Sequence, residues 1–256
     1  MLRVIVHGSC GKMGRVLAQA IKDSGFAEMT AGVDGMCQEG YSLSHPSPIP
    51  CYRSFDHCHA EADAVIDFSH PACLPDLLAY CGEKKLPLVI ATTGFHEEED
   101  REVCKASGQI PIFRCPNMSL GVNVMARLVK LAATNLEKEF NIEIIEKHHN
   151  NKVDSPSGTA FLLAKAANDG LRVKKDYIFG RHGRADACRI TDMGIHAVRG
   201  GSIPGEHTVL FAGPGETLEI THRALTKDIF AKGALLAAGW LTGKEPGLYS
   251  MEDLLL

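Results

Sequence analysis

Leu2-Arg3-Val4-Ile5-Val6-His7-Gly8-Ser9-Cys10-Gly11-Lys12-Met13-Gly14 is the stretch that sets the fold of this 256-residue chain. Leu2 to His7 is an apolar run of strand length, rich in β-branched residues. Glycines 8, 11 and 14 follow, then an amphipathic pattern to about Lys22 that stops near Gly25. A strand, a glycine turn and a helix start together turn backbone N–H groups toward an anion, and glycine lets the backbone approach it closely. The common pyrophosphate fingerprint spaces its glycines G-x-G-x-x-G, so this spacing departs from it. The context supplies what the spacing lacks. A second strand, about Met29 to Val33, ends in Asp34, twenty residues past Gly14, where a carboxylate can bond ribose hydroxyls. That charge repels a 2′-phosphate and favours NADH over NADPH, while Lys12 can supply a cation for either.

Working outward, Ala62 to Phe68, Leu86 to Ala91 and Ile110 to Arg114 read as further strands. Ser69 or His70 ahead of Pro71 starts one intervening helix, and His96 with Glu97-Glu98-Glu99-Asp100 starts the next. Strand and helix alternating at this rhythm predict an α/β, Rossmann-like dinucleotide-binding domain with a parallel sheet. Ligands of such sheets bind beyond the carboxyl ends of the strands. Gly8, Ser9, Cys10, Gly11, Lys12 and Met13 lie at one such end, and Asp34 at another. Thr92, Thr93 and Gly94 sit at a third, and Cys115, Pro116, Asn117 and Met118 at a fourth. These are the candidate cofactor contacts. Gln38 to Cys51 is polar, holds Pro46, Pro48 and Pro50, and reads as a loop. Asp56-His57-Cys58-His59 has no second ligand cluster at zinc spacing, so no metal is expected.

The second half is organised around Glu146-Lys147-His148-His149-Asn150-Asn151-Lys152-Val153-Asp154-Ser155-Pro156-Ser157-Gly158-Thr159. A strand, Asn141 to Ile145, precedes it, and a helix from about Ala160 to Gly170 follows. Asp154 or Ser155 is the expected cap and Pro156 the first turn. Ser157, Gly158 and Thr159 offer N–H groups at the positive helix end, suited to a carboxylate or phosphate. Adjacent residues on extended backbone face opposite ways, so His148 and His149 do different jobs. An imidazole can move a proton near neutral pH, and Lys152 adds a fixed cation or a second donor. Residue types alone leave a solvated basic loop before an ordinary capped helix equally open.

The string Glu-x-His-His-x-x-Lys-x-Asp-x-Pro-Ser-Gly-Thr-Ala resembles the signature of the 4-hydroxy-tetrahydrodipicolinate reductase (dihydrodipicolinate reductase) family of lysine biosynthesis. Ser155 stands where the family commonly has Ala. Gly8 to Gly14 fits the family's G-x-x-G-[KR]-M-G loop, although Gly35 stands where relatives often carry Arg. Gly-Glu-His-Thr at 205–208, Leu-Glu-Ile-Thr-His at 218–222 and Gly-Lys at 243–244 fit as well, so the resemblance runs the length of the chain. It implies an oxidoreductase of the diaminopimelate route. Such an enzyme reduces 4-hydroxy-tetrahydrodipicolinate, a cyclic imine dicarboxylate, with NADH or NADPH and loss of water. It implies His148 as the acid/base residue and Lys152 as the proton donor, with His149, Gly158 and Thr159 holding substrate. It also places cofactor contacts at Thr92, Gly94 and Asn117.

From about Arg189 the pattern changes. Gly194 to Arg199, Glu206 to Ala212 and Thr217 to Ala224 are strand-like and separated by short glycine turns, which predicts antiparallel neighbours. His207 and His222 lie within them and read as structural. The second domain is therefore α+β with an open mixed or antiparallel sheet, expected at 120–227. The apolar helix Asp228 to Thr242 returns to the first domain, expected at 1–119 and 228–256. An open sheet needs a cover, and the resemblance implies a homotetramer.

The formal net charge of −4 gives no support for nucleic acid, and no apolar run reaches membrane length. Nine cysteines, an odd count without C-x-x-C, and no secretory leader predict free thiols and a cytoplasmic location. Two other readings stay open on the residues: another two-domain NAD(P)-dependent dehydrogenase of an amino acid or sugar, and a non-catalytic cofactor-sensing protein.

Overall fold

The computed structural model describes residues 1–37, 42–43, 49–183 and 188–255. They form two compact units, Met1–Ser119 with Asp228–Leu256, and Leu120–Lys227.

The first unit runs β1 (Leu2–His7), α1 (Lys12–Ser24), β2 (Ala27–Val33), β3 (Ser42–Leu43), β4 (Ile49–Tyr52), β5 (Ala64–Asp67), α2 (Leu74–Lys84), β6 (Leu88–Ile90), α3 (Glu97–Ser107) and β7 (Pro111–Arg114). Its sheet has eight strands in the order β13-β7-β6-β5-β1-β2-β4-β3, where β13 is Gly247–Tyr249 from the end of the chain. Every pairing is parallel except β3 with β4. β1 is central, and its alternate residues feed two cores. Val4 and Val6 pack with Leu17 and Ile21 of α1, and Ile5 packs with Leu77 of α2 and Val103 of α3. The strand order reverses beside β1, which puts a ligand crevice at its carboxyl end.

The second unit holds α4 (Leu120–Leu136), β8 (Asn141–His148), α5 (Gly158–Gly170), β9 (Asp176–Phe179), β10 (Asp192–Arg199), β11 (Glu206–Gly213) and β12 (Glu216–Arg223). The five-stranded sheet has the order β12-β11-β8-β10-β9. It is mixed: β8 runs parallel to β10 and antiparallel to β11. One face carries Ile142, Ile144, Met193, Ile195, Val209 and Phe211 against Val129 of α4 and Leu163 of α5. The chain then returns through α6 (Asp228–Leu241) and ends in α7 (Met251–Leu254).

Several expectations are corrected. Within Gln38–Cys51, read as a loop, β3 and β4 form short strands, and the intervening residues 38–41 and 44–48 lie outside the described ones. A two- to four-residue strand near a sheet edge tolerates proline and gives no periodic signal. β10 and β11 are not neighbours, because β8 lies between them. That insertion depends on long-range pairing, which turn length does not report. The cap of α5 is Ser157, whose Oγ accepts from the Ala160 N–H at 3.2 Å, and not Asp154 or Ser155; Pro156 precedes the helix. Cys37 and Cys51 are joined in a disulfide, so the free-thiol expectation fails there. The parallel register Gly32 with Cys51 and the turn after Asp34 bring the two Cα atoms to 6.2 Å.

Candidate active site

The buried face of β8 reads Ile142, Ile144, Glu146, His148: two apolar residues in the core, then two polar ones under the start of α5. Strand pairing adds Arg199 from β10 opposite His148, and His207 from β11 opposite Glu146. Glu146 is fully buried, and each of its oxygens is engaged. Arg199 donates Nη1 to Oε2 at 2.7 Å and Nη2 to Oε1 at 2.8 Å. The Ser157 N–H donates to Oε1 at 3.0 Å, and His148 Nδ1 lies 2.6 Å from Oε2. Burial pushes this carboxyl up, but Arg199, His148 and the Ser157 N–H more than offset it and hold it below the ordinary range. An ionised Glu146 accepts, so His148 carries a proton on Nδ1. Burial lowers the His148 imidazole and outweighs the pull of Glu146, which favours the neutral ring with a lone pair on Nε2. That nitrogen points toward Gly205, where a Cβ would stand 3.0 Å away.

His207 lies edge-on to His148, with ring centroids 5.1 Å apart. Its Nε2 is 3.0 Å from Ser157 Oγ. Burial pushes its imidazole down to about 4. Lys152 donates from Nζ to Asp154 Oδ1 at 2.7 Å, and Asp154 is exposed. Arg199 Nη2 also donates to the Asp154 carbonyl at 2.6 Å, tying the loop to the sheet. His149 is half-buried, and its Nδ1 is buried without a hydrogen-bond partner among the described residues. Gly158, the first residue of α5, is exposed, and Thr159 is half-buried beside it. The arrangement offers a neutral imidazole as proton acceptor, an ammonium whose counter-ion faces solvent, and a helix start whose first residue, Gly158, is exposed.

In the first unit, Gly8 adopts φ +78°, and a Cβ there would strike the Phe68 carbonyl. A Cβ on Gly14 would strike the Gly8 carbonyl and come within 2.7 Å of Ser9 Cα. The α1 N-terminus, at Gly11 and Lys12, has no side-chain cap. Asp34 accepts from the Cys10 N–H at 2.9 Å through Oδ2 and from the Met36 N–H at 2.9 Å through Oδ1. Met13, Phe68, Thr92, Thr93, Gly94 and Phe230 help line a cavity of about 470 Å³ beside this loop. Thr92 Oγ1 is buried there without a partner among the described residues. Cys115 and Met118 are core side chains, and Asn117 Oδ1 accepts from the Ser119 N–H at 2.8 Å. An uncapped helix start, a cradle that excludes Cβ atoms and an orphaned hydroxyl suit a dinucleotide. A larger hollow of 740 Å³, lined by residues of α2 and α3, collects none of the candidate residues.

A family profile described as "Dihydrodipicolinate reductase, N-terminus" matches residues 2–118, and one described as "Dihydrodipicolinate reductase, C-terminus" matches residues 121–255. The chain belongs to the dihydrodipicolinate reductase family. Among reductases it is 49% identical over 254 residues to the 4-hydroxy-tetrahydrodipicolinate reductase of Caldanaerobacter subterraneus subsp. tengcongensis, covering 99% of this chain and 98% of the relative. It is 46% identical to that of Clostridium tetani, covering 100% and 97%. A solved dipicolinate-bound dihydrodipicolinate reductase from Paenisporosarcina sp. TG-14 shares the fold, with TM-score 0.83 at 22% identity and full coverage of both chains. Scyllo-inositol dehydrogenase from Lactobacillus casei shares it more distantly, with TM-score 0.64 at 13% identity, 99% of this chain and 92% of that one. The resemblance drawn from the motifs is thus confirmed at the level of family.

Reading the sequence of this reductase missed Arg199 and gave Glu146 no role. Glu146 stands two residues before His148, the strand spacing that shares a face, so a period-two reading could have found it. Arg199 reaches the site only through the β8–β10 register. Arg15, which donates from Nε to the Cys10 carbonyl at 3.1 Å, was likewise missed as a cation beside the glycine loop.

Proposed function

We propose that this chain reduces 4-hydroxy-tetrahydrodipicolinate to tetrahydrodipicolinate with loss of water, using NADH or NADPH, in the diaminopimelate route to lysine. Family membership supports the oxidoreductase class and the cofactor. The observation that carries the assignment of residues is the convergence of Glu146, His148, Arg199 and Ser157 at the start of α5. The unit Met1–Ser119 with Asp228–Leu256 is assigned to the dinucleotide, and Leu120–Lys227 to the substrate.

Bound NAD(P)H supplies the hydride. His148 is the acid/base residue: Glu146 fixes its tautomer and leaves Nε2 free to take or return a proton. Lys152 releases Asp154 to meet a substrate carboxylate and serves as proton donor. His149 Nδ1, Gly158 and Thr159 complete the grip on the dicarboxylate. Gly8, Ser9, Gly11, Lys12 and Met13 hold the pyrophosphate side. Asp34 faces the ribose and favours NADH. Thr92, Thr93, Gly94 and the backbone of Cys115 to Met118 complete the cofactor contacts. Four copies associate, covering the second face of the β8 sheet, where Val198 is exposed. The protein works in the cytoplasm, where the NAD(P)H pool of a biosynthetic reductase lies. No helix among the described residues is long and apolar enough to cross a membrane.

The test is oxidation of NADH and NADPH by the purified chain with freshly generated 4-hydroxy-tetrahydrodipicolinate. Turnover with both cofactors, faster with NADH at limiting concentration, is expected. No turnover with either overturns the assignment. Lys152→Ala should raise the substrate KM and lower kcat, while NADH affinity stays within about twofold. Unchanged steady-state constants would remove Lys152 from the site.

A further inference from the structure

Three sulfurs converge beneath Asp34. Cys37 and Cys51 form the disulfide, and Cys10 Sγ lies 3.2 Å from Cys37 Sγ. All three sulfurs fall within 4.8 Å of one another. Cys37 and Cys51 are 2% and 8% exposed, whereas Cys10, in the glycine loop, is half-buried. The backbone around them holds Asp34 from three sides. The Cys10 N–H donates to its carboxylate, the Cys37 N–H to its carbonyl at 2.9 Å, and its own N–H to the Tyr52 carbonyl at 2.9 Å.

We propose that Cys10, Cys37 and Cys51 form a thiol–disulfide relay that couples the surrounding dithiol pool to the hold of the glycine loop and Asp34 on the dinucleotide. This rests on the reading of that loop as the cofactor site. The buried disulfide is poorly reached by an external thiol, and Cys10 is its route to solvent. The Cys10 thiolate attacks Cys37 Sγ. The Cys37–Cys51 bond breaks, Cys51 leaves as a thiolate and takes up the proton that Cys10 gave. The number of disulfides is unchanged, and the bond now ends on the accessible sulfur. A reducing dithiol then attacks Cys10 Sγ and displaces Cys37 as a thiolate. Its second thiol expels Cys10 and closes the external disulfide. Two electrons and two protons have passed to the protein, which ends with three free thiols. Burial, reinforced by the Asp34 carboxylate, raises the Cys10 thiol above its ordinary value, so the relay speeds up as pH rises.

Reduction unties residue 37 from β4 and loosens the turn that presents Asp34. By reciprocity, bound NADH shields Cys10 and slows reduction. The full chain, purified under air, is compared with the same chain reduced by dithiothreitol and desalted under argon. Peptide mapping should find a Cys37–Cys51 or Cys10–Cys37 disulfide in the first and none in the second. The NADH Kd, read by fluorescence, should rise about fivefold on reduction, at the low end of usual coupling between sites. Cys10→Ser should slow dithiothreitol reduction of the remaining disulfide at least about tenfold, which a merely structural disulfide would not show. Saturating NADH should slow it in the wild type. Three free thiols after exposure to oxidised glutathione overturn the proposal. So does stoichiometric zinc protecting all three, or reduction of Cys10→Ser as fast as the wild type. Equal NADH affinity in both forms overturns it alone. Absence of NADH binding in both forms instead overturns the cofactor reading of the loop, and this proposal with it.

Discussion

His148 sits at a strand end, where the groups that orient its ring are themselves held. Glu146 holds Nδ1 at 2.6 Å, and Arg199 locks Glu146 with two hydrogen bonds. Moving one proton at a positioned imidazole contributes about 10²–10⁴-fold to a rate. His148→Gln should therefore lower kcat by about 100-fold or more while leaving the NADH Kd within about twofold. Stopped-flow turnover and fluorescence titration check both halves, and wild-type turnover would exclude His148 from proton transfer. Because burial lowers this imidazole below its ordinary value, the wild-type rate should hold through neutral pH and fall only below pH 6.5. The variant should lack that acid limb. His148 was visible in the sequence through its neighbours His149 and Lys152. Its partner Arg199 was not, because a residue 51 positions away enters only when two strands align.

At the scale of elements, the turn between β1 and α1 closes by contact of backbone on backbone. Gly14→Ala puts a methyl group into the Gly8 carbonyl, and the backbone there cannot step aside without opening the turn. A loss of about 1–3 kcal/mol is expected, as for overpacking elsewhere, together with weaker NADH binding. Urea unfolding and NADH titration of the same variant measure the two effects. β11 makes a different demand. It buries His207, whose folded value is about 4 against an ordinary 6.5. Above pH 6.5 neither the folded nor the unfolded chain protonates it. As pH falls from 6.5 to 4 the unfolded chain gains a proton that the folded chain refuses, so stability drops by up to about 3 kcal/mol and then levels off. His207→Gln should flatten that descent when urea midpoints at pH 7 and pH 4.5 are compared.

The parallel strands β1, β5 and β7 were legible because they lie in apolar runs bounded by clear turn residues. β3 and β13 were not, being too short for a period to register, and β9 follows Lys174-Lys175 and opens on Asp176, so no apolar run marks it. The antiparallel pair β11–β12 was readable from its Gly-Pro-Gly turn. The insertion of β8 beside β11 was not, since nothing local records which strand a hairpin docks against. The disulfide escaped for the same reason: fourteen residues separate Cys37 from Cys51, and only the β2–β4 register closes that distance.

Across the whole molecule, the two units differ in how the chain builds them. Leu120–Lys227 is a single continuous segment, whereas the other unit is completed only by Asp228–Leu256. Ala231, Ala234, Leu235, Ala238 and Leu241 of α6 fill the same core as Val4, Val6 and Phe113. A ribosome thus emits every residue of the smaller sheet before the helix that caps one side of the larger one exists. Until α6 emerges, the part of the nascent amino-terminal sheet that α1 does not cover keeps a greasy flank, the kind of surface to which chaperones bind.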